Sequence, residues 1–575
     1  MTCSIQNWMK HIMLAVLLLT GGYFTPLSAQ SASNGRVTGK VTDPDKQPLV
    51  GAVVMVKGTS RGTTTLADGT YSIQAKSNDI LIFTLLGYGE KHVAVNRRTR
   101  INVTLEEEAN AIDDVVIEVG YGSMARKDIT GTLSDVNIED LQKAPVINFD
   151  QALQGRIAGV SITSADGQPG IDMDVVIRGA NSLTQSNSPL YVVDGFPMED
   201  FSSAAINMAD IVSLTVLKDA SATAIYGARG ANGVIIIETN RNFEGKPTVT
   251  YNGTYGFQSV TKKMEMMNAY EFVAYQIERK PLNADVYLNN LDRTLEDYKR
   301  MGQGIDWQDK LFQNAPIHMH NVSLVGGTKQ TKYSVSLSMA DQEGVIICSG
   351  YEKYQGRISL TQQLNRRATL QANVSYTSDK TYGQTSSAAL SSNNAYASYL
   401  MYRTWAFRPV VTNGSVLDLE EEIFDGEFDG SNSAVMNPII STKNENKETR
   451  KQTFLSNVKI DYNLHKNLRL SVRGGYSRYT SLSTEFNNSL TFKGYPSLSN
   501  TKGVNGSMSN QDRSNWMNEN TLTYTRNWRN GRHRLNAVAG FTLEGSRTKR
   551  FGFSTMHIPN ESLGLSGMDD GLPNT

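Results

Sequence analysis

Few side chains in this sequence are spaced for bond-making chemistry. The chain has seven histidines and no HExxH string. His318 and His320, two apart, have no companion ligand nearby in sequence, whereas a zinc centre needs three or four donors at set spacings. Glu420 to Glu422 and Asp425 could be read as an acid/base pair, but a charge run in a polar stretch without a nucleophile motif is usually a solvated face. Gly227, Gly230 and Gly233 have the spacing of a phosphate cradle, yet they lack the Walker Lys-Ser/Thr and follow a helical pattern, while a dinucleotide loop follows a strand. No metal, cofactor or catalytic residue is expected, and so no enzyme. The remaining candidate works through its backbone. Asp113, Asp114, Val115, Val116, Ile117, Glu118, Val119 and Gly120 form a β-prone run between charge and glycine. Such a run is either a linker or edge strand, or a strand that a partner adds to its own sheet. Composition leaves both open.

The elements around these residues follow from length and patterning. With 575 residues the chain is too long for one ordinary domain. Its 56 Lys plus Arg balance 56 Asp plus Glu, with no sustained basic stripe to neutralise phosphates, so nucleic acid is set aside as a partner. Residues 1–29 read as a secretory signal peptide: Lys10 and His11, the apolar run Ile12 to Leu19, then Pro26 and Leu27-Ser28-Ala29. Cys3 precedes that run, so no lipid anchor is expected, and loss of the leader leaves Cys348 without an internal disulfide partner. No later stretch approaches the roughly 20 apolar residues of a membrane helix, so any membrane entry would be as a barrel.

Residues 36–106 hold short alternating runs at roughly ten-residue spacing, the pattern of a small antiparallel β-sandwich. Asp68-Gly69 reads as a hairpin turn. The stretch GKVTDPDKQPLVGAVVMVKGTSRGTTTLADGTYSI resembles the carboxypeptidase-regulatory-like domain family, which implies a fold and no activity. Residues 107–122 form an acidic linker containing the Asp113 to Gly120 run. From 123 to 242 helices and strands alternate: Phe149 to Ile157 as a helix, Val160 to Thr163, Leu190 to Val193, Ile211 to Leu217 and Val234 to Glu238 as strands. Asp219 is placed to cap a helix over Ala220 to Tyr226, with Gly227 as its left-handed terminator.

The strings LQGRIAGVSI, VIRGANSL, PLYVVDGFP and LKDASATAIYGARGANGVIIIET resemble the plug domain of the SusC/RagA family of TonB-dependent outer-membrane transporters. They contain Arg178 and Gly179, Asp194 and Gly195, Lys218 and Asp219, Tyr226, Gly227, Arg229, Gly230, Asn232 and Gly233. The resemblance places the TonB box at Asp113 to Gly120. It further implies glycan or peptide import across the outer membrane, pulled by the periplasmic TonB complex, with a SusD-like surface lipoprotein over the extracellular mouth.

Residues 243–575 alternate apolar and polar along successive strands, as in Tyr333, Val335, Leu337 and Met339 against Ser334, Ser336 and Ser338. A soluble sandwich shows the same alternation, but the connections sort into short turns (Gly326 to Gln330, Asn365 to Arg367, His465 to Asn467, Arg529 to Arg532) and long segments (Thr261 to Pro316, Gly344 to Glu352, Thr381 to Arg450, Thr480 to Arg513). Outer-membrane barrels pair short periplasmic turns with long external loops in this way. About nine strands are present, where a barrel around a plug needs about 22. The expected fold is mainly β: a small sandwich, an α+β plug, then an incomplete antiparallel transmembrane barrel. GLSGMDDGLPNT reads as loop interior, and the sequence as the N-terminal part of a longer transporter. The rival reading is a surface binding or adhesion protein without transport. Aromatics in the long segment, Tyr396, Tyr399, Tyr402, Trp405 and Phe407, fit either sugar stacking or a loop core.

Overall fold

The computed structural model describes residues 35–574 apart from 45, 60, 86–87, 107–115, 120–121, 126–132, 144–145, 165–166, 199–200, 220–222, 241–242, 385–399, 412–418, 426–434, 497–499 and 529–532. The residues of the expected leader, 1–29, and Asp113 to Val115, Gly120, Tyr396 and Tyr399 lie outside these residues. The chain divides into two compact units at Val115/Val116.

In the first unit, two sheets enclose a core that includes Val41, Val54, Leu81, Phe83 and Leu105. The strands alternate in burial because every second side chain enters that core; Val53–Val56 has its second and fourth residues buried. Asp68-Gly69 does turn the chain, with Gly69 at φ 78°. It does not close a hairpin within one sheet, however: Gly62–Thr64 and Thr70–Ala75 belong to different sheets. A side chain at Gly69 would lie 2.7 Å from the Val41 carbonyl oxygen, so the glycine serves both the turn and the close approach.

The second unit holds the plug and the wall. The plug's five-stranded sheet runs in the order Leu133–Asp135, Ile211–Leu217, Val234–Thr239, Leu190–Val193, Phe196–Met198. Leu190–Val193 and Val234–Thr239 are parallel, and the other pairs are antiparallel. All four residues of Leu190–Val193 are buried, as expected of a central strand covered on both faces. The expected helix at Phe149 is shorter, Phe149–Leu153. Instead of one helix ending at Tyr226, tight turns span Ala224–Gly230 and break at Gly227, whose φ of 61° and ψ of −148° suit only a residue without a side chain.

The wall is one antiparallel sheet of ten strands in sequence order: β1 (Gly245–Gln258), β2 (Ala315–Gly327), β3 (Thr331–Glu343), β4 (Gly350–Gln363), β5 (Ala368–Tyr382), β6 (Glu445–His465), β7 (Leu468–Asn487), β8 (Asn505–Trp528), β9 (His533–Met556) and β10 (Leu572–Pro573). Among the described residues the sheet does not close on itself; β1 pairs with β2, and β10 returns only two residues to β9. That short return lies inside the C-terminal string read as loop. Tight connections fall at 328–330, 364–367 and 466–467, while the turn expected at Arg529 to Arg532 lies outside the described residues. Half of the loop expected over Thr480 to Arg513 is strand, because β7 runs to Asn487 and β8 starts at Asn505. The ladder continues there past the point where the apolar alternation fades. The 344–349 connection is also short. Leu337, Ile358 and Val374 on the outward face are exposed, while Ser336, Ser359 and Asn373 on the inward face are buried against the plug side. No helix among the described residues is long and apolar enough to cross a membrane, which says nothing of the strands.

Candidate functional site: the seam between plug and wall

The plug residues singled out above gather at opposite ends of the central strand Leu190–Val193. At one end, Asp194 and Gly195 form a two-residue turn between Val193 and Phe196, with φ values of 49° and 81°. Two successive positive φ values define a tight hairpin of the kind Asp-Gly favours. The turn aims the Asp194 carboxylate along the sheet, where it accepts hydrogen bonds from the Thr239 amide at 3.0 Å and the Thr239 hydroxyl at 2.7 Å. Arg357 of β4 completes the group by donating to Asp194 Oδ2 at 2.6 Å, with side-chain exposures of 7% and 2%. Arg473 of β7 donates to the Gly195 carbonyl at 2.7 Å. A Cβ at Gly195 would come within 2.6 Å of that guanidinium, so the wall also selects glycine here.

At the other end, Arg178 (φ 58°) pairs with Asp219 and donates to the Lys218 carbonyl at 3.4 Å. Lys218 in turn donates to the Ala158 carbonyl. Gly179 follows at φ 101°. Asn232 donates to the Ser186 carbonyl at 3.0 Å, and Tyr226 packs with Leu190, Leu217 and Ile236. The glycine triplet is a packing device: a Cβ at Gly230 would lie 2.8 Å from the Thr223 carbonyl oxygen, and one at Gly233 (φ 92°) 2.7 Å from Ile177 Cδ1. Arg229 reaches the wall, pairing with Glu544 at 2.8 Å.

Further polar contacts stitch the seam. Ser336 of β3 donates to Asp210 at 2.8 Å, Gln355 of β4 to the Ala205 carbonyl at 2.8 Å, and Asn207 to Asn321 of β2 at 2.7 Å. Lys451 of β6 lies 3.3 Å from Asp172. Burial in the plug, reinforced by the nearby Asp172 carboxylate, pushes Asp150 up to about 7. Burial likewise raises Asp210, against the lowering effect of Arg357. The wall residues Arg357, Arg473 and Lys451 were not singled out from sequence, and Ser336 was named only as part of a polar face. Their signal was present in the alternation, since each sits on the polar face of its strand.

The other candidates are structural or lie elsewhere. His318 is 3.5 Å from Asp341, and His320 shares a 2.8 Å hydrogen bond with the Tyr251 hydroxyl. Among the described residues no three His, Cys, Asp or Glu side chains are grouped to hold a metal. Glu420 pairs with Lys310 at 2.7 Å, and Glu422 with the buried Arg408. Phe407 is buried edge-on against Trp307, a loop-core role, while Trp405 is half-exposed. Of the Asp113 to Gly120 run, Val116–Val119 pairs antiparallel with Gly122–Ala125 as a hairpin.

Residues 125–234 match the TonB-dependent Receptor Plug Domain and residues 37–117 the CarboxypepD_reg-like domain. TonB-dependent receptor P26 of Formosa agariphila is 32% identical over 561 residues, covering 94% of this chain and 52% of that protein. TonB-dependent receptor SusC of Bacteroides thetaiotaomicron is 33% identical over 488 residues, covering 81% and 46%. The structure of the RagAB peptide importer in its open-open state aligns with a TM-score of 0.64 at 23% identity, over 79% of this chain and 51% of that one. The chain spans about half the length of the curated relatives it matches. A plug held inside an antiparallel wall with an apolar outer face defines a TonB-dependent receptor. Within that class the chain is similar over most of its length to the SusC/RagA family, whose members are β-barrels of the outer membrane.

Proposed function

We propose that the chain contributes the plug and the first part of the barrel to an energised importer of a glycan or peptide nutrient. The observation that carries this reading is the seam itself. The plug is fastened to the wall by discrete ion pairs and hydrogen bonds, led by Asp194 with Arg357, which can break one after another, and by small apolar contacts such as those of Ile147 with Ile317 and Tyr351, and of Met517 with the plug core. In this reading the periplasmic TonB complex adds a strand at Asp113 to Gly120 and pulls. Among the described residues, Val116–Val119 is paired along one edge, and strand addition would use the other. A SusD-like lipoprotein would cap the mouth, and no bond-making step is needed, so no catalytic residue is assigned. The arc needs further strands, because an open edge in lipid leaves amides unpaired at several kcal/mol each. Deleting Asp113 to Val119 in the complete transporter should abolish uptake while surface binding of the nutrient persists. Unchanged uptake would refute the assignment.

A further inference from the structure

The outward face of β7, β8 and β9 changes character over three successive cross-strand rows. In the first row, Tyr476 stands opposite Trp516, and both are half-exposed on the face that meets lipid. In the next row, Arg478 lies opposite Ser514, which lies opposite Arg547. In the third, Thr480 lies opposite Asp512, which lies opposite Lys549. Two residues along a strand return to the same face, so Arg478, Arg547 and Lys549 all project outward with the aromatic pair. Arg478 grips Asp512 with two hydrogen bonds, Nε to Oδ1 at 3.1 Å and Nη2 to Oδ2 at 2.9 Å, which fixes its guanidinium plane. Three cations against one carboxylate leave a surplus of two positive charges within two rows. The neighbouring charged group on β4 to β6 is balanced instead: Lys380 pairs with Glu352 at 2.6 Å, and Arg450 pairs with Glu448.

Position decides what such a patch meets. Tyr and Trp collect at the boundary between hydrocarbon and headgroups, so the cations lie at headgroup level on the side of the long loops. Cations at that level attract anionic lipid, and a fixed guanidinium with two flexible neighbours suits the several oxygens of a phosphate monoester. We propose that Arg478, Arg547 and Lys549 form a binding site for the phosphate of a phosphorylated lipid in the leaflet on the long-loop side, with Tyr476 and Trp516 lying against the lipid body below it. The site would anchor the wall at β7 to β9 independently of any transported nutrient.

The test is native mass spectrometry of the complete transporter in neutral detergent micelles, with diphosphorylated lipid A as the probe and phosphatidylcholine as the neutral control. The variant R478Q/R547Q/K549Q should bind lipid A about tenfold more weakly, as expected for loss of several charge-assisted hydrogen bonds, with the control unchanged. Asp512→Asn, which removes the one negative charge and leaves every cation, should bind more strongly and guards against a folding defect in the triple variant. Binding by the triple variant within about twofold of the parent, or binding by Asp512→Asn no stronger than the parent, would overturn the proposal. Displacement of lipid A by an equal concentration of inorganic phosphate would also overturn it, by showing a free-anion site.

Discussion

Arg357 of the wall and Asp194 of the plug meet at 2.6 Å with almost no exposure to solvent, joining residues far apart in sequence across the plug–wall seam. Each is a charge that burial would make costly alone, and each offsets part of that cost for the other. Thr239 occupies two further positions around the carboxylate, so the group is closed by hydrogen bonds.

Removing either partner should therefore strand the other. Arg357→Ala and Asp194→Ala are each expected to destabilise the seated plug by about 3–5 kcal/mol, and the double variant by clearly less than the sum. Protease sensitivity of the plug across a urea series reads this. Additive losses would show that the two residues do not act as a pair.

Gly233→Ala places a methyl 2.7 Å from Ile177 Cδ1 at a φ of 92°, so it should cost about 2–4 kcal/mol, combining overpacking with backbone strain. Adding Ile177→Val deletes the nearest clashing atom and should recover part of that loss. Thermal unfolding of the three variants in detergent reads the share due to Cδ1; no recovery would place the cost in the backbone and in the Cβ and Cγ2 contacts at 3.2 and 3.3 Å that valine keeps.

Asp150 gives the plug a pH dependence of definite sign. Its folded value, about 7, lies above the ordinary 3.8, so folding takes up a proton. The stability it confers is complete below about pH 4 and is lost as pH rises through about 7. Asp150→Asn should flatten plug stability between pH 4 and 8 and stabilise the plug at the alkaline end. An unchanged slope in chemical denaturation would assign the pH dependence to other groups.

Leu337 lies on the outward face at 62% exposure, where a positive charge would meet hydrocarbon. Leu337→Arg should cost about 2–4 kcal/mol for folding into bilayers and little in denaturant-swollen micelles. An equal cost in both would mean that the face is not lipid-bound.

Much of this architecture was legible in the sequence because it rests on local periodicity. The strand Ile211–Leu217 was read to the residue, and the tight turns near 330, 366 and 466 were marked by polar residues between apolar runs. What was not legible came from tertiary distance. Asp68-Gly69 looked like a hairpin because turn chemistry is local, but which sheet each strand joins is set by the core beyond it. The extensions of β7 and β8 were missed because strands that leave the apolar layer keep their ladder while losing the hydrophobic pattern. At the seam, Asp194 stood out through its turn, while Arg357 and Arg473 were inconspicuous polar-face residues; nothing local announces a partner more than a hundred residues away.

The central claim is that the wall carries lipid on its outer face and the plug on its inner face, and adjacent residues of β3 test it most directly. With Cys348 replaced by Ser, single cysteines at Leu337 and at Ser336, which donates to Asp210, would be labelled with a fluorophore in the membrane-inserted protein. Quenching by bromine-labelled acyl chains should be strong for the label at 337 and weak for the label at 336. Equal quenching, or a label at 337 reached only by aqueous iodide, would contradict the account.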